Sequence, residues 1–343
     1  MSAPTMTNAA AFLTAAKSNP FEVRASPTWT AGEGEVLVKN HVVAINPVDG
    51  NLQYTAFFPL KYPAILGQDV AGEVVAVGPH VTRFRTGDRV VGHAVGMATG
   101  RHEDAAFQNY TILQTNMCSP IPASMPYEVA AVLPLGLSTA ASGLFRQDFL
   151  NLQLPSVPAK EQAGKTILVW GGASSVGSNA IQLCVAAGYE VITTASARNF
   201  DYVRKLGAAQ VFDYASPTVH EDLLNAFKHK TLAGVLDSIG PPAWAICLDV
   251  ALKTPGNKFV ATTKRGFPDP PEGVRIQAVF GTVIKDDHVS HAVYGDFLPR
   301  ALDTGSYVPS PEPLVAGHGL ESLQAAVDLH RQGVSARKIV VRL

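Results

Sequence analysis

The sequence predicts an α/β protein of two domains, one rich in β-strands and one built on a doubly wound parallel sheet. Three observations predict it. The chain has 343 residues, which is long for a single core. Short strand patterns fill its first third, and strand–helix units repeat through its middle. The predicted β-rich domain comprises 1–125 and 266–343, and the parallel-sheet domain comprises 126–265.

Strands in the first third are predicted from alternating or β-branched runs bounded by turn residues. The N-terminal apolar patch at 9–13 is predicted as the first strand. The others are Glu35–Lys39, His41–Ile45, Val70–Val77 and Arg89–Gly92. A helical connector is predicted from about Met125 through Leu150, because its apolar residues follow helical spacing.

From Thr166 onward, strands and helices alternate, which is typical of a parallel sheet with crossover helices. The predicted pairs are Thr166–Trp170 with Ser175–Ala187, Glu190–Thr194 with Asn199–Leu206, Gln210–Phe212 with His220–Phe227, and Gly234–Ser238 with Trp244–Leu252. After a strand at Lys258–Thr262 and a proline-rich loop, we expect a helix at Leu320–His330 and a last strand at Lys338–Arg342.

Composition and charge exclude several classes of function. Hydrophobic residues make up 47% of the chain and charged residues 16%, a balance typical of a globular protein. The net charge is −1 and no basic run is present, so no nucleic-acid partner is expected. Polar residues, Gly or Pro interrupt every apolar stretch before about 18 residues, so no membrane-spanning helix is predicted.

The three cysteines are distant from each other in the sequence: Cys118, Cys184 and Cys247. Neither a disulfide framework nor a cysteine-based zinc site is indicated by an odd, dispersed set. No basic segment precedes the apolar patch at 9–13, so no secretory signal is predicted. We therefore expect a protein of the reducing cytoplasm.

A glycine-rich turn links the predicted strand at Thr166–Trp170 to the helix that follows. Gly172 is expected to permit the tight turn, and Gly177 to let the helix pack closely on the strand. N–H groups at the helix start, at Ser175 and Val176, are expected to bind a pyrophosphate. Ser174 replaces the usual middle glycine and can hydrogen-bond the same ligand. The alternative is a turn with a purely structural role.

The end of the second strand of this domain indicates which nicotinamide is bound. No carboxylate lies between Glu190 and Asp201 to accept hydrogen bonds from ribose hydroxyls, as NAD sites require. Ser196 and Arg198 can instead bind a 2′-phosphate, which favours NADPH. Alternatively, Ser196 caps a helix and Arg198 is a solvated surface residue. Tyr202 is expected to cover the adenine or to pack internally.

Several motifs together resemble the medium-chain dehydrogenase/reductase superfamily over essentially the whole chain. They are the Gly67–Val74 segment, Ala44–Asp49, Thr86–Val90, the glycine turn and the closing Lys338–Val341. The resemblance implies a GroES-like catalytic domain and a Rossmann domain. It also implies a homodimer formed through 275–283, although similar enoyl reductases are monomers.

Zinc members of this family carry Cys where this chain has Asn46, and His-Glu where it has Gln68-Asp69. The segment 92–110 contains no cysteine, so the four-cysteine structural lobe is also absent. His93 and His102 are expected to be surface or packing residues. We therefore predict no metal.

The zinc-free branches that the chain resembles are quinone-oxidoreductase-like proteins and enoyl reductases, including trans-acting enoyl reductases of fungal polyketide pathways. This resemblance places Thr139 beside the nicotinamide, and Asn46 and Asp49 in the active cleft. Tyr54 is a candidate proton donor, with solvent as the alternative. Each of three residues has a structural alternative. Thr139 can be a helical hydroxyl bonded to its own backbone. Asp49 can fix a turn, and Tyr54 can be a packing aromatic residue.

The function that follows is NADPH-dependent reduction of an activated C=C bond in an enoyl thioester or an α,β-unsaturated carbonyl compound, within secondary metabolism. The acyl substrate is either free or bound to a carrier protein. NADPH:quinone oxidoreduction is the alternative enzyme. The alternative of another class is a non-catalytic, NADPH-binding protein comparable to the lens crystallins of this family.

Overall fold

The computed structural model describes residues 7–343, which divide into two compact units. The first comprises 7–135 and 312–343, and the second comprises 136–311. The chain thus returns to the first unit at 312 and not at 266, as the sequence had led us to expect. The reason is a further strand, Arg275–Ala278, which pairs in parallel with Phe259–Thr262 and so extends the sheet of the second unit.

The first unit is built from two sheets. One has three strands in the order β2-β1-β4, and the other has seven, in the order β15-β16-β3-β5-β6-β8 with β7 paired to β3. The strands of this unit are β1 (Asn8–Leu13), β2 (Glu22–Ser26), β3 (Glu35–Ala44), β4 (Ala64–Ile65), β5 (Asp69–Val77), β6 (Arg89–His93), β7 (Tyr110–Gln114), β8 (Cys118–Pro120), β15 (Glu312–His318) and β16 (Arg337–Arg342).

The second unit contains one six-stranded sheet in the order β11-β10-β9-β12-β13-β14, and every neighbouring pair is parallel. Its strands are β9 (Thr166–Trp170), β10 (Glu190–Ala195), β11 (Gln210–Asp213), β12 (Leu232–Asp237), β13 (Phe259–Thr262) and β14 (Arg275–Ala278). The strand order reverses beside β9, where doubly wound sheets bind their ligands. The predicted fold class, a β-rich GroES-like unit and a Rossmann-type sheet, is confirmed.

The helices complete both units. They are α1 (Pro47–Thr55), α2 (Gly96–Thr99), α3 (Tyr127–Ala130), α4 (Pro134–Phe145), α5 (Ser175–Ala186), α6 (Phe200–Lys205), α7 (Val219–Phe227), α8 (Ala243–Lys253), α9 (His288–Ser290), α10 (Leu298–Asp303) and α11 (Leu323–Gln332). A π-helix covers His291–Phe297, and short 3₁₀ turns lie at His102–Asp104, Thr115–Met117, Ala197–Asn199, Gly281–Asp286 and Leu320–Ser322.

The predicted connector helix is shorter than expected and is interrupted. α3 ends at Ala130 and α4 begins at Pro134, because proline lacks the N–H that would continue a helix but is well suited to start one. The chain after Phe145 forms loops up to β9. Among residues 7–343, one stretch, Tyr127–Phe145, is long and apolar enough to cross a membrane, but 83% of it is buried inside the protein, as is usual for a core helix.

Each unit has its own hydrophobic core. In the first unit, side chains from β1, β3, β5, β6 and β16 pack with those of α11. In the second unit, the side chains of β9, β10, β12 and β13 pack against α7 and α8. The first core fixes the strand ends from which the candidate site is built.

Candidate active site

Strand pairing brings four polar residues together at one end of the large sheet in the first unit. Asn46 follows β3, whose last residue, Ala44, pairs with Asp69 at the start of β5. Asp69 in turn pairs with His93 at the end of β6. Lys338 lies near the start of β16, which is antiparallel to β3. All four side chains are buried.

Lys338, Asp69 and Asn46 form a buried ionic network. The Lys338 Nζ lies 2.8 Å from Asp69 Oδ2, and it donates to Asn46 Oδ1 at 2.5 Å. Asn46 Nδ2 donates to the same carboxylate at 2.9 Å, and the Leu135 N–H donates to its other oxygen at 2.7 Å. The side chains of Lys338 and Asp69 are only 4% and 0% exposed. Both buried charges are therefore compensated by hydrogen-bonded partners.

Asp49 lies in the first turn of α1, next to this network. Its Oδ2 accepts the Asn46 N–H at 2.8 Å, which caps the helix, but its Oδ1 is buried without a hydrogen-bond partner in the part of the chain that the structure describes. Burial, with a further contribution from the Asp69 charge, raises the pKa of Asp49 to about 7. Near neutral pH both the protonated and the ionised form of this group are therefore populated, and it also fixes the turn at the start of α1.

Gln68 and His93 form a second buried pair beside the network. Gln68 Oε1 lies 3.3 Å from His93 Nε2. Burial lowers the pKa of His93 to about 4, and the Lys338 charge acts in the same direction while Asp69 opposes it. His93 is therefore a neutral imidazole at physiological pH. Of the two expected roles, surface or packing, His93 has the packing role, because β6 ends inside the unit.

A mostly apolar pocket opens beside Gln68. Its volume is about 30 Å³. Its lining contains a single hydrogen-bonding side chain, that of Gln68, among leucine, isoleucine, methionine, alanine and glycine residues: Leu52, Leu60, Ile65, Leu66, Gly67, Gly96, Met97 and Ala105. A pocket of this size has room for about one or two water molecules or for a small group of a ligand.

The residues at this site do not fit a zinc ion. Zinc sites in proteins use thiolate, imidazole and carboxylate ligands, but here two of the positions are the carboxamides of Asn46 and Gln68. The carboxylate of Asp69 is already bonded to an ammonium group, whose positive charge opposes a cation. Within residues 7–343 no group of three or more His, Cys, Asp or Glu side chains is arranged to hold a metal.

Tyr54 does not lie where a proton donor to the predicted cleft would have to lie. Its hydroxyl donates to Asp328 Oδ1 at 2.5 Å, and it accepts from Asn19 at 2.6 Å and Gln324 at 3.2 Å. The Arg331 guanidinium stacks over the ring at 3.6 Å. These contacts join α1 to α11 and to the turn after β1, and they use the full hydrogen-bonding capacity of the phenol. The structure does not bring Tyr54 together with Asn46 and Asp49.

The glycine turn in the second unit has the geometry of a nucleotide-binding turn, with one correction. The positive φ that the tight turn requires occurs at Gly171, at +83°, and not at Gly172. At Gly172 a side chain would instead collide with Thr193 Oγ1, 2.3 Å from an added Cβ. An added Cβ at Gly177 would lie 2.2 Å from the Gly171 carbonyl oxygen. Both glycines thus allow α5 to approach β9 and β10 closely.

The serine in the turn forms hydrogen bonds within the protein, and its predicted contact with a ligand stays a prediction. Ser174 is the N-cap of α5, and its Oγ accepts the Gly177 N–H at 3.0 Å. It also bonds Ser238 Oγ at 2.9 Å, which ties the turn to the end of β12. The hydroxyl therefore shapes the turn. Ser175 and Val176 occupy the first helical positions, whose N–H groups have no acceptor within the helix and point outward.

The predicted 2′-phosphate residues lie together after β10. Ser196 precedes a 3₁₀ turn, and its Oγ accepts from Asn199 Nδ2 at 3.0 Å. Arg198 is exposed, and its guanidinium forms no hydrogen bond or ion pair within residues 7–343. Tyr202 reaches back to Ser178 on α5, with 2.7 Å between their hydroxyls. It therefore has a packing role, and its side chain is half-buried.

One carboxylate near this site was missed. β11 places Asp213 opposite Ala195, the last residue of β10. Its Oδ1 accepts the Ala215 N–H at 2.9 Å. A scan along the strand for acidic residues cannot detect a neighbour that arrives across the sheet.

Thr139 lies on α4 and is largely buried. Its hydroxyl forms no hydrogen bond with any residue of 7–343, so the structural alternative, a bond to its own helix backbone, is not found. The adjacent Ser138 bonds Tyr294 of the π-helix at 2.7 Å. Thr139 thus offers a hydroxyl that no protein group occupies.

Sequence reasoning missed Lys338 and the pairing of Gln68 with His93. Lys338 was recognised only as part of the last strand. A signal was present, because a lysine directly before Ile339, Val340 and Val341 continues a buried run, and a buried lysine needs an ionic partner.

Comparisons with known proteins agree with this architecture. Residues 32–123 match the alcohol dehydrogenase GroES-like domain, and residues 175–262 match the zinc-binding dehydrogenase family. The chain is 59% identical to the zinc-binding alcohol dehydrogenase domain-containing protein cipB of Emericella nidulans, over 99% of this chain and 100% of that protein. It is 40% identical to the trans-enoyl reductase himH of Aspergillus japonicus, over 98% and 97% of the two chains.

Solved structures show the same fold. An alcohol dehydrogenase superfamily protein from Novosphingobium aromaticivorans is similar with a TM-score of 0.80 and 27% identity, over 98% of this chain and 100% of that one. The CurK enoyl reductase is similar with a TM-score of 0.75 and 18% identity, over 98% and 99%.

Proposed function

The chain is an oxidoreductase of the medium-chain dehydrogenase/reductase family, and on that basis we propose that it is a zinc-independent, NADPH-dependent reductase of activated C=C bonds. The acceptors are enoyl thioesters or other α,β-unsaturated carbonyl compounds. The observation that carries the proposal is the buried network of Lys338, Asp69 and Asn46, which supplies an ammonium group and a carboxamide where a zinc reductase needs metal ligands.

The proposed chemistry follows from the replacement of metal ligands by an ammonium group and a carboxamide. An alcohol has to lose its hydroxyl proton as it gives up hydride, a step that a Lewis-acidic metal assists, whereas a C=C bond conjugated to a carbonyl is already electrophilic. NADPH, when bound, supplies the hydride. The protein has to orient the acceptor, exclude water and stabilise charge on the carbonyl oxygen. Asp49 is close enough to neutrality in its pKa to exchange a proton with the site, and Thr139 offers a free hydroxyl to the cofactor.

The second unit supplies the groups that would hold the dinucleotide. Ser175 and Val176 present N–H groups at the start of α5, which suit a pyrophosphate. Arg198 and Ser196 provide a cation and a hydroxyl for a 2′-phosphate. The carboxylate of Asp213 favours NADH over NADPH. Its hydrogen bond with the Ala215 N–H turns one carboxylate oxygen toward the backbone, and this orientation affects NADPH binding.

The similarity to trans-enoyl reductases supports an acyl substrate. Three such fungal relatives are 40%, 34% and 31% identical to this chain. We therefore propose a role in secondary metabolism, with the acyl group either free or on a carrier protein. The three buried, unpaired cysteines support a cytoplasmic location.

Oxidation of NADPH and of NADH, followed by absorbance with a panel of acceptors, tests the proposal. The panel contains a 2-enoyl thioester, an enone and 1,4-benzoquinone, and each assay is repeated after treatment with a zinc chelator. Turnover of the enoyl thioester with NADPH, unchanged by the chelator, is expected. Turnover of quinone alone would favour the quinone oxidoreductase. Binding of NADPH without turnover of any acceptor would refute the reductase, and loss of activity on chelation would refute zinc independence.

A further inference from the structure

Gln68 occupies an unusual position in the first unit. It follows Gly67 and precedes β5, its side chain is 3% exposed, and it lines the apolar pocket. Its backbone carbonyl accepts the Ala94 N–H at 2.8 Å, which fixes the main chain against the end of β6. The side chain is therefore held at the wall of the pocket by a rigid backbone.

The hydrogen bonds of the carboxamide are only half satisfied by the protein. Oε1 faces His93 Nε2 at 3.3 Å, an arrangement that the neutral imidazole satisfies with its hydrogen on Nε2. Nε2 of Gln68 forms no hydrogen bond with any group of residues 7–343. A nearly buried amide N–H group without a protein acceptor is costly unless a ligand or water accepts from it.

We propose that the Gln68 carboxamide donates a hydrogen bond to the carbonyl oxygen of the acceptor. This inference rests on the proposed function. Hydride addition at the β-carbon breaks the C=C π bond and moves an electron pair toward the carbonyl oxygen as an enolate. A solvent proton then bonds to the α-carbon. The Gln68 N–H bond strengthens as the oxygen becomes negative.

His93 is a positioning residue for Gln68. It does not line the pocket, but it holds Oε1 and so determines which end of the carboxamide remains free. Because its pKa is about 4, the ring stays neutral throughout the physiological pH range and places no charge beside the enolate.

Steady-state kinetics of Gln68→Met, Gln68→His and His93→Phe test the inference, with NADPH and a medium-chain 2-enoyl thioester as substrates. Gln68→Met keeps the side-chain length and removes the donor. Loss of one such donor costs a factor of about 10² to 10³ in kcat, with KM changed little because the bond forms fully only in the transition state. Gln68→His restores an N–H donor and is expected to recover part of kcat. His93→Phe is expected to lower kcat less, and its effect should not add to that of Gln68→Met.

Gln53→Met is the matched control, because Gln53 is a buried glutamine of the same unit whose amide bonds Ser18 and Gln324 and does not line the pocket. Its kcat is expected to equal that of the wild type, and circular dichroism and thermal unfolding verify that all variants fold. Wild-type protein that turns over the thioester together with a fully active Gln68→Met variant would overturn this inference alone. A wild-type protein without turnover would overturn the proposed function and this inference together.

Discussion

Replacing Lys338 with methionine tests whether the buried ionic network stabilises the first unit. The ammonium group has two hydrogen-bonded partners, Asp69 and Asn46, and is almost fully buried. Removal of one partner of a buried ion pair leaves the other charge uncompensated, which costs about 3–5 kcal/mol of unfolding free energy. Asp69 keeps two N–H donors, from Asn46 and Leu135, so we expect the lower end of that range.

The double variant Lys338→Met/Asp69→Asn separates the charge effect from the packing effect. It removes both charges while asparagine still accepts from the Leu135 N–H. Replacement of a complete buried pair is often close to neutral, so the double variant is expected to recover at least half of the loss. Lys39→Met, an exposed lysine on β3, is the control and should change stability by no more than about 0.5 kcal/mol.

Urea unfolding followed by circular dichroism and by tryptophan fluorescence measures these differences. Trp29 reports on the first unit, whereas Trp170 and Trp244 report on the second. A loss below about 1 kcal/mol for Lys338→Met, against the range for broken buried pairs, would refute the reasoning. A double variant no more stable than the single one would refute it equally.

Three further predictions concern pH, cofactor and substrate. The pKa of Asp49 is raised to about 7, so its contribution to stability is complete below pH 3.8 and is lost as the pH rises to 7. The pKa of His93 is lowered to about 4, so its contribution is complete above pH 6.5 and is lost as the pH falls to 4. Asp49→Asn removes the ionisable group and so the loss of stability between pH 4 and 7. The free energy of unfolding of the variant relative to wild type should therefore rise by up to roughly 4 kcal/mol over this range. A stability difference between variant and wild type that does not change with pH in urea titrations would contradict this. Arg198→Ala should weaken NADPH binding by roughly tenfold or more, the value of a charge-assisted hydrogen bond, and leave NADH binding unchanged by calorimetry; equal losses for both would argue against a 2′-phosphate contact. Met97→Trp, which places a bulky ring in the pocket beside Gln68, should lower kcat/KM for enoyl thioesters; an unchanged kcat/KM would place the acceptor carbonyl elsewhere.

The local features of the site could be predicted from the sequence because they depend on neighbouring residues. A strand followed by a glycine turn and a helix has only a few possible geometries, so the nucleotide turn was located correctly. Even so, the positive φ lies at Gly171 and not at Gly172. Ser174 was expected to be able to hydrogen-bond the ligand. A serine before a helix is well suited to cap it, and in the structure Ser174 caps α5.

Contacts between distant segments could not be predicted. Lys338 meets Asn46 only because β16 pairs with β3, and Asp213 comes near Ala195 only because β11 lies beside β10. Tyr54 follows the candidate cleft in sequence, yet α11 and the turn after β1 provide its partners. The domain boundary shifted for the same reason, since the parallel pairing of β14 with β13, which places 275–278 in the second unit, is not visible in the sequence.

The pairing of β16 with β3 determines when the site can exist during synthesis. Lys338 is separated from Asn46 by 292 positions, and the whole second unit lies between them. On the ribosome, the early strands of the first unit emerge long before the cation that neutralises Asp69. A nascent chain therefore carries an incomplete site, with the Asp69 charge uncompensated, until the second unit has been made. The last strand then completes both the first unit and the buried ionic network.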